Sequence, residues 1–315
     1  MSYAIVFPGQ GAQEVGMGRD FYDAYAVSKA AFKEADQALG FSLSNIVFEG
    51  PEDELVKTAI TQPAILTASI AVLRAFAEEY GKPLAPAYYA GHSLGEYTAL
   101  VASEVLSLGD AVRLVHKRGE LMQQAVPMGK GAMSAILGLD KDAIRSVCGE
   151  ACCGDVVSAA NVNAPTQIVI SGSKEAVERA GNLAKERGAS KVIPLKVSAP
   201  FHCELMRSVA DKLREEFSKM TWSAPKVPIA ANVDASFLGT VEAIQQALYD
   251  QTYSPVLWSD GVTAMANAGV DTFVEFGPGN VLSGLVKRIV KGSKTAAVGK
   301  TSDMEKAIAL LGGEA

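Results

Sequence analysis

The chain has 315 residues, of which 49% are hydrophobic and 20% are charged. This balance excludes a disordered or collagen-like chain, and the length predicts one large domain or two unequal ones. The net charge of −6, from 29 basic and 35 acidic residues, disfavours a surface that binds polyanions over the whole molecule, so we expect no nucleic-acid partner.

The four cysteines predict neither a metal site nor a disulfide framework. Cys148, Cys152 and Cys153 cluster without a CxxC pair or a histidine at zinc-finger spacing, and Cys203 stands alone. Reduced thiols of this kind are typical of the cytosol. No signal-peptide pattern is seen, and the longest apolar stretch, 64–77, is expected to be too short to span a bilayer. We therefore expect a cytoplasmic protein without a bound metal and without membrane contact.

Strand-like and helix-like patterns alternate in the first 128 residues. In chain order they predict a strand at 3–7, helices at 20–39 and 63–80, a strand at 87–90, and helices at 94–102 and 109–125. Such alternation is typical of an α/β domain with a mainly parallel sheet.

The pattern changes at about residue 130 and changes back after Pro200. Strands are predicted at 132–137, 156–161, 167–171 and 191–197, with helices at 141–148 and 174–187. This β-α-β-β-α-β order is ferredoxin-like. The later pattern predicts strands at 227–232 and 272–276 and helices at 204–220, 241–249, 260–268 and 281–290. We therefore predict one large domain, residues 1–128 and 198–315, interrupted by a small subdomain at 129–197.

The strongest motif is Gly91-His92-Ser93-Leu94-Gly95, a G-x-S-x-G pattern between a predicted strand and a predicted helix. In this setting the glycines allow the tight turn that exposes a nucleophilic serine, as in an α/β-hydrolase-like domain. The backbone N–H of Leu94, at the helix N-terminus, would point towards a developing oxyanion. The pattern is common enough that a chance match is the alternative.

The segment Gly9-Gln10-Gly11-Ala12-Gln13 directly follows the first strand. A strict dinucleotide fingerprint is excluded because Glu14 stands where its third glycine would be. The segment is either a simple glycine-rich turn or a loop whose Gln10 N–H donates to the same oxyanion.

Only three histidines could serve as the base: His92, His116 and His202. His202 lies in an irregular segment after a predicted strand, where catalytic residues of α/β folds gather, so we select it. His92 adjoins the serine and is interpreted as a support of the turn, whereas His116, in mid-helix, is interpreted as structural.

Together these motifs resemble the malonyl-CoA:acyl carrier protein transacylase family over essentially the whole chain. The matching segments are Phe-Pro-Gly-Gln-Gly-Ala-Gln at 7–13, Gly-His-Ser-Leu-Gly at 91–95, Lys-Arg-Gly-Glu-Leu-Met at 117–122, Asn-Val-Asn-Ala-Pro-Thr-Gln at 161–167, Pro-Phe-His-Cys at 200–203, Tyr-Ser-Pro-Val-Leu-Trp at 253–258 and Phe-Gly-Pro-Gly at 276–279. Several motifs in the right order are far more specific than one serine turn.

The resemblance implies a catalytic set. Ser93 would be the nucleophile and His202 its base, and the backbone N–H groups of Gln10 and Leu94 would form the oxyanion hole. The backbone carbonyl of Gln251 would orient the histidine in place of an aspartate. A thiolate leaves more readily than an amine, so this weaker support can suffice.

The resemblance also implies how substrates are chosen. Arg118 would grip the malonyl carboxylate with two parallel hydrogen bonds, which a lysine cannot form. The bulk of Leu94 and Phe201 would favour malonyl over methylmalonyl groups. Lys287 and Arg288, which begin a basic run ending at residue 300, are candidates for docking an acidic carrier protein; the alternative is a solvated helix end followed by a tail.

The implied reaction is ping-pong transfer of malonyl from malonyl-CoA to the phosphopantetheine thiol of holo acyl carrier protein, through a malonyl-serine, for fatty acid synthesis. No bound cofactor is implied, and we expect a monomer. The alternatives are a stand-alone polyketide-type acyltransferase, a serine thioesterase or esterase that transfers the acyl group to water, and a binding module with an inert Ser93.

Overall fold

The computed structural model describes residues 2–127, 129–197 and 199–312. Its strands are β1 (Tyr3–Phe7), β2 (Tyr88–Gly91), β3 (Gly131–Leu137), β4 (Val157–Ala164), β5 (Gln167–Ser173), β6 (Lys191–Pro194), β7 (Ile229–Ala230), β8 (Phe237–Leu238), β9 (Thr272–Phe276) and β10 (Lys294–Val298). Its helices are α1 (Arg19–Ala24), α2 (Ala26–Leu39), α3 (Leu43–Glu49), α4 (Glu52–Leu55), α5 (Thr58–Tyr80), α6 (Leu94–Ala102), α7 (Leu108–Ala125), α8 (Lys141–Ala151), α9 (Lys174–Glu186), α10 (Arg207–Phe217), α11 (Val241–Tyr253), α12 (Trp258–Asn267), α13 (Val281–Ile289) and α14 (Met304–Leu310). Two short 3-10 helices lie at Glu204–Met206 and Thr301–Asp303.

The larger sheet has the strand order β10-β9-β1-β2-β7-β8. All neighbours are parallel except β7 and β8. In β1, Ile5 and Phe7 point into one apolar cluster and Ala4 and Val6 into another, so both faces of the sheet are covered. Because β1 and β2 are adjacent and parallel, the segments that follow them emerge at the same edge of the sheet.

The smaller sheet is antiparallel, with the order β4-β5-β3-β6. Helices α8 and α9 cover one face through a cluster that includes Ile136, Ile144 and Val177. The other face contributes Met133, Ala160 and Val169, against which Phe201 packs. The predicted α/β fold with a ferredoxin-like subdomain is confirmed. Met128 and Ser198, which bound the predicted large domain, lie outside the described residues.

Helix α5 differs from its prediction at its N-terminus. It begins at Thr58 rather than at Pro63, and Pro63 lies inside it. A proline has no N–H for the carbonyl four residues earlier. Here the ring Nδ1 of His116 lies 2.7 Å from that carbonyl, which belongs to Ala59, and satisfies it. The structural role predicted for His116 therefore has a specific partner.

The expectation that the central apolar stretch is too short to span a bilayer is wrong on length. Helix α5 has 23 residues and is long and apolar enough to cross a membrane, but most of it is buried inside the fold. This is the environment of a core helix of a globular protein.

Other predictions differ at element ends. The helix predicted at 20–39 breaks at Tyr25, whose backbone is extended, and the strand predicted at 227–232 is reduced to Ile229–Ala230. The strand predicted at 191–197 ends at Pro194. The suggestion of a tail after residue 290 is wrong, because Lys294–Val298 is β10 and pairs with β9.

Candidate active site

The turn that carries Ser93 depends on its two glycines. Ser93 has φ 52° and ψ −100°, a strained conformation between β2 and α6. A Cβ on Gly91 would overlap the backbone of Gly95, and a Cβ on Gly95 would overlap the carbonyl of Phe7 in β1. The glycines thus allow α6 to start directly against the sheet, as a nucleophile elbow requires.

Ser93 and His202 form a hydrogen-bonded pair although they are 109 residues apart. Ser93 Oγ lies 2.7 Å from His202 Nε2, and His202 Nδ1 lies 2.8 Å from the backbone carbonyl oxygen of Gln251. Since a carbonyl only accepts, Nδ1 carries the proton and Nε2 is left to accept the serine hydroxyl proton. Burial, and then the charge of Arg118, lower the pKa of His202 to about 3, so its ring is neutral and able to accept a proton at neutral pH.

A cavity of about 130 Å³ opens beside this pair, and its lining includes Gln10, Leu94, Arg118 and Phe201. Leu94 is the first residue of α6, and Gln10 follows β1, so both backbone segments reach the cavity from the same sheet edge. The Gln10 side chain donates to Thr58 Oγ1 at 3.3 Å. The oxyanion role of the two N–H groups stays a prediction.

Arg118, on α7, is 2% exposed and its guanidinium borders the same cavity. Nη1 donates to Gln62 Oε1 at 2.7 Å, whereas Nη2 donates to Gln251 Oε1 at 2.9 Å and to Ser93 Oγ at 3.2 Å. Among the described residues no carboxylate pairs directly with it. A buried arginine that is held by neutral oxygens next to Ser93 can receive a carboxylate.

Sequence reasoning missed four buried polar groups around this pair: Gln62, Glu96, Asn232 and the Gln251 side chain. Asn232 Nδ2 donates to the Gly91 carbonyl at 2.8 Å, and its Oδ1 accepts from the Ser93 N–H at 2.7 Å. Asn232 lies at the carboxyl end of a predicted strand, where functional residues of α/β folds gather. The same rule selected His202 and could have identified Asn232 as a site residue. Gln62 was detectable as an amide within an apolar helix.

His92 connects the elbow to the smaller sheet. Its Nε2 lies 2.7 Å from Asn163 Oδ1, on β4, and burial lowers the pKa of the ring. This contact agrees with the predicted supporting role, and the ring also lines the cavity beside Ser93.

The residues proposed for carrier docking lie outside the cavity. Arg288 Nη1 donates to Gln167 Oε1 at 2.7 Å, so it ties α13 to the smaller sheet. Lys287 lines a separate surface groove together with Lys300 and Lys306, and also with the acidic Glu14 and Asp303. Within residues 2–127, 129–197 and 199–312, no group of three His, Cys, Asp or Glu side chains is placed to hold a metal.

The family model described as acyl transferase domain matches residues 4–310. The malonyl CoA-acyl carrier protein transacylase of Escherichia coli K12 is 50% identical over 308 residues, which cover 98% of this chain and 99% of that protein. The chain belongs to the malonyl-CoA:acyl carrier protein transacylase family. The transacylase of Bacillus subtilis is 47% identical over 98% of the chain and 96% of its own length.

Two solved transacylase structures are similar over the whole fold. An acyl carrier protein S-malonyltransferase from Vibrio cholerae has a TM-score of 0.95 and 47% identity, covering 98% of this chain and 100% of that one. A malonyl-transacylase solved with its holo type II polyketide synthase acyl-carrier protein has a TM-score of 0.95 and 46% identity, with the same coverage. The resemblance seen in the sequence motifs is thereby confirmed.

Proposed function

We propose that this chain transfers the malonyl group of malonyl-CoA to the phosphopantetheine thiol of a holo acyl carrier protein. The observation that carries the proposal is that one hydroxyl, Ser93 Oγ, contacts both His202 Nε2 and Arg118 Nη2. A base and a carboxylate-binding cation at the same nucleophile fit a thioester substrate that ends in a carboxylate.

In the first half-reaction, Ser93 Oγ attacks the thioester carbonyl while His202 Nε2 takes its proton. The backbone N–H groups of Gln10 and Leu94 stabilise the oxyanion of the tetrahedral intermediate. The C–S bond then breaks, and His202 returns the proton to the departing CoA thiolate. Malonyl-serine remains, with its carboxylate on Arg118.

In the second half-reaction, the pantetheine thiol gives its proton to His202 and attacks the serine ester. The C–O bond breaks, and Ser93 Oγ recovers the proton from His202. Arg118 holds the carboxylate through both steps. Acetyl groups would leave this buried cation without an anionic partner, which disfavours them. Phe201, which lines the cavity, is proposed to restrict substituents on the carbon between the two malonyl carbonyls.

Intact mass spectrometry tests this function directly. After incubation with malonyl-CoA, the wild type should carry one malonyl adduct, which a holo carrier protein then removes; Ser93→Ala should carry none. Rapid loss of the adduct to water would indicate a thioesterase, and no adduct on the wild type would indicate a binding module.

A carrier of fatty acid synthesis is proposed as the acceptor. A carrier of polyketide synthesis is the second candidate, because a similar transacylase was solved in complex with such a carrier. The rates at which malonyl-serine transfers its malonyl group to each of the two carriers distinguish the candidates.

We further propose that Lys287 and Arg288 contact the acidic carrier. Lys287→Glu should then raise the KM for holo carrier protein and leave the KM for malonyl-CoA unchanged. Lys33→Glu, which reverses an exposed lysine on α2, is the matched control. Equal effects of both variants would contradict a local docking site.

The two sheets support a division into a large domain, residues 1–128 and 198–315, and a subdomain at 129–197. We propose that the protein works as a monomer in the cytoplasm. Sedimentation at working concentrations tests the monomer, and a stable dimer would contradict it.

A further inference from the structure

Glu96 is a buried carboxylate for which the mechanism above has no use. It lies on α6, one turn after Ser93, and is 0% exposed. Its Oε2 accepts from the Gln251 side-chain amide at 2.9 Å and from the Asn232 backbone N–H at 3.2 Å. Its Oε1 is buried and has no hydrogen-bond partner among the described residues. A buried carboxylate satisfied on one side only is costly to retain, which suggests a function.

The Gln251 amide lies between Glu96 and Arg118. Its Nε2 donates to the carboxylate, and its Oε1 accepts from Arg118 Nη2 at 2.9 Å. The amide dipole is therefore aligned between a buried anion and a buried cation. Its other N–H donates to the Ser93 backbone carbonyl at 3.0 Å, and Gln251 is 0% exposed, so the amide cannot easily turn away.

This spacing has a consequence for the arginine. A glutamate in direct contact would form a bidentate pair and occupy the guanidinium. With one amide between them, the negative charge still offsets part of the positive charge, because electrostatic interactions act over this range in a buried site. The Nε–H and one N–H of Nη1 have no hydrogen-bond partner among the described residues and stay available to a carboxylate.

We propose that Glu96 is a specificity-determining residue: it is an internal counter-anion that limits how tightly Arg118 holds the malonyl carboxylate. A malonyl group entering the cavity is attracted by Arg118 and repelled by Glu96. This limit suits a transferase that must pass the malonyl group on, since binding that is equally strong before and during the transition state does not raise the rate. The inference rests on the proposed role of Arg118.

The charge of Glu96 changes near neutral pH. Burial raises the pKa of Glu96 to about 7. The hydrogen bonds from Gln251 and Asn232 and the charge of Arg118 lower this pKa in part, whereas the exposed Asp234, in the loop after β7, raises it further. Of the other groups that face it, burial raises the pKa of Tyr97 to about 12. Burial lowers the pKa of Arg118, but a guanidinium stays protonated in this pH range. Glu96 is thus mostly anionic at about pH 8.5 and mostly neutral at about pH 6.

The test is Glu96→Gln, which removes the charge and retains the shape. The glutamine oxygen can accept from Gln251 and Asn232, and its NH₂ replaces the oxygen that has no partner. Single-turnover acylation by malonyl-CoA and by acetyl-CoA gives the preference for the carboxylate. At about pH 8.5 we expect this preference to rise roughly tenfold, through tighter binding of malonyl-CoA. At about pH 6 the variant and the wild type should agree within about twofold, because Glu96 is then neutral in both.

Damage to the fold cannot imitate tighter binding, so a rise is informative. Thr98→Val is the matched control, since Thr98 lies on the same helix, is 0% exposed, and has no hydroxyl partner among the described residues. It should leave the preference unchanged at both pH values. An unchanged or reduced preference in Glu96→Gln at about pH 8.5 would overturn the proposal.

Arg118→Ala separates this failure from failure of the proposed function. If Arg118→Ala abolishes the preference for malonyl but Glu96→Gln does not raise it, only the role of Glu96 is wrong. If Arg118→Ala leaves the preference unchanged, the carboxylate-binding role of Arg118 and the inference on Glu96 are both overturned.

Discussion

Asn232 supports the elbow through two hydrogen bonds that no sequence motif reveals, so we predict a large effect of Asn232→Ala. The side chain is 3% exposed and joins the backbone on both sides of His92. Its Nδ2 donates to the Gly91 carbonyl at 2.8 Å, and its Oδ1 accepts from the Ser93 N–H at 2.7 Å. Alanine would leave both backbone groups without a partner.

The magnitude follows from those two groups. An unsatisfied buried polar group costs about 1–3 kcal/mol. Gly91 is buried, whereas Ser93 is half-buried, so water can replace part of the second bond. We therefore expect a loss of about 2–4 kcal/mol in the free energy of unfolding. The acylation rate should fall as well, because Ser93 would lose a restraint on its positive φ.

Urea unfolding measures the first effect, and single-turnover acylation by malonyl-CoA measures the second. Asn45→Ala, at an exposed asparagine on α3, should change the stability by less than about 0.5 kcal/mol and is the control. A loss below about 1 kcal/mol in Asn232→Ala, with an unchanged acylation rate, would refute the reasoning. It would mean that the elbow holds its conformation without this side chain.

Three further predictions concern the nucleophile and its surroundings. Arg118→Lys, which keeps the charge but loses the planar fork, should reduce the malonyl-over-acetyl acylation preference by about tenfold or more; an unchanged preference would show that charge alone suffices. Because burial and Arg118 lower the pKa of His202 to about 3, acylation by acetyl-CoA should stay level as pH falls from about 8 to about 5, and a loss with a midpoint near the ordinary histidine pKa would contradict this. Gly95→Ala should cost about 1–3 kcal/mol or more in urea unfolding because its Cβ would overlap the Phe7 carbonyl, whereas Gly149→Ala, in the open on α8, should be neutral or stabilising; equal results would contradict close packing at the elbow.

Local patterns located the elements with strong periodicity. Helix α6 and strand β9 have the predicted bounds, because both are short, mostly apolar runs next to glycines: Gly91 precedes the turn before α6, and Gly277 follows β9. Strand β10 was missed, since Lys294–Val298 is alanine-rich and becomes a strand only by pairing with β9. Helix α5 was predicted to begin at Pro63, because a proline usually stands at the start of a helix and not inside it. The helix continues back to Thr58, since the carbonyl that the proline leaves without an N–H is satisfied by His116, which is 57 residues away.

The sequence by itself predicted Ser93 as the nucleophile, because a strand, two glycines and a helix are adjacent in the chain and together form the elbow. It also predicted His202 as the base, from its place after a strand. Only the tertiary structure decided which groups surround that pair. Glu96, Arg118 and Gln251 lie on three different helices, and the amide between the two charges results from how these helices pack. Hydrogen bonds between elements distant in sequence depend on that packing, and hydrophobic periodicity does not encode it.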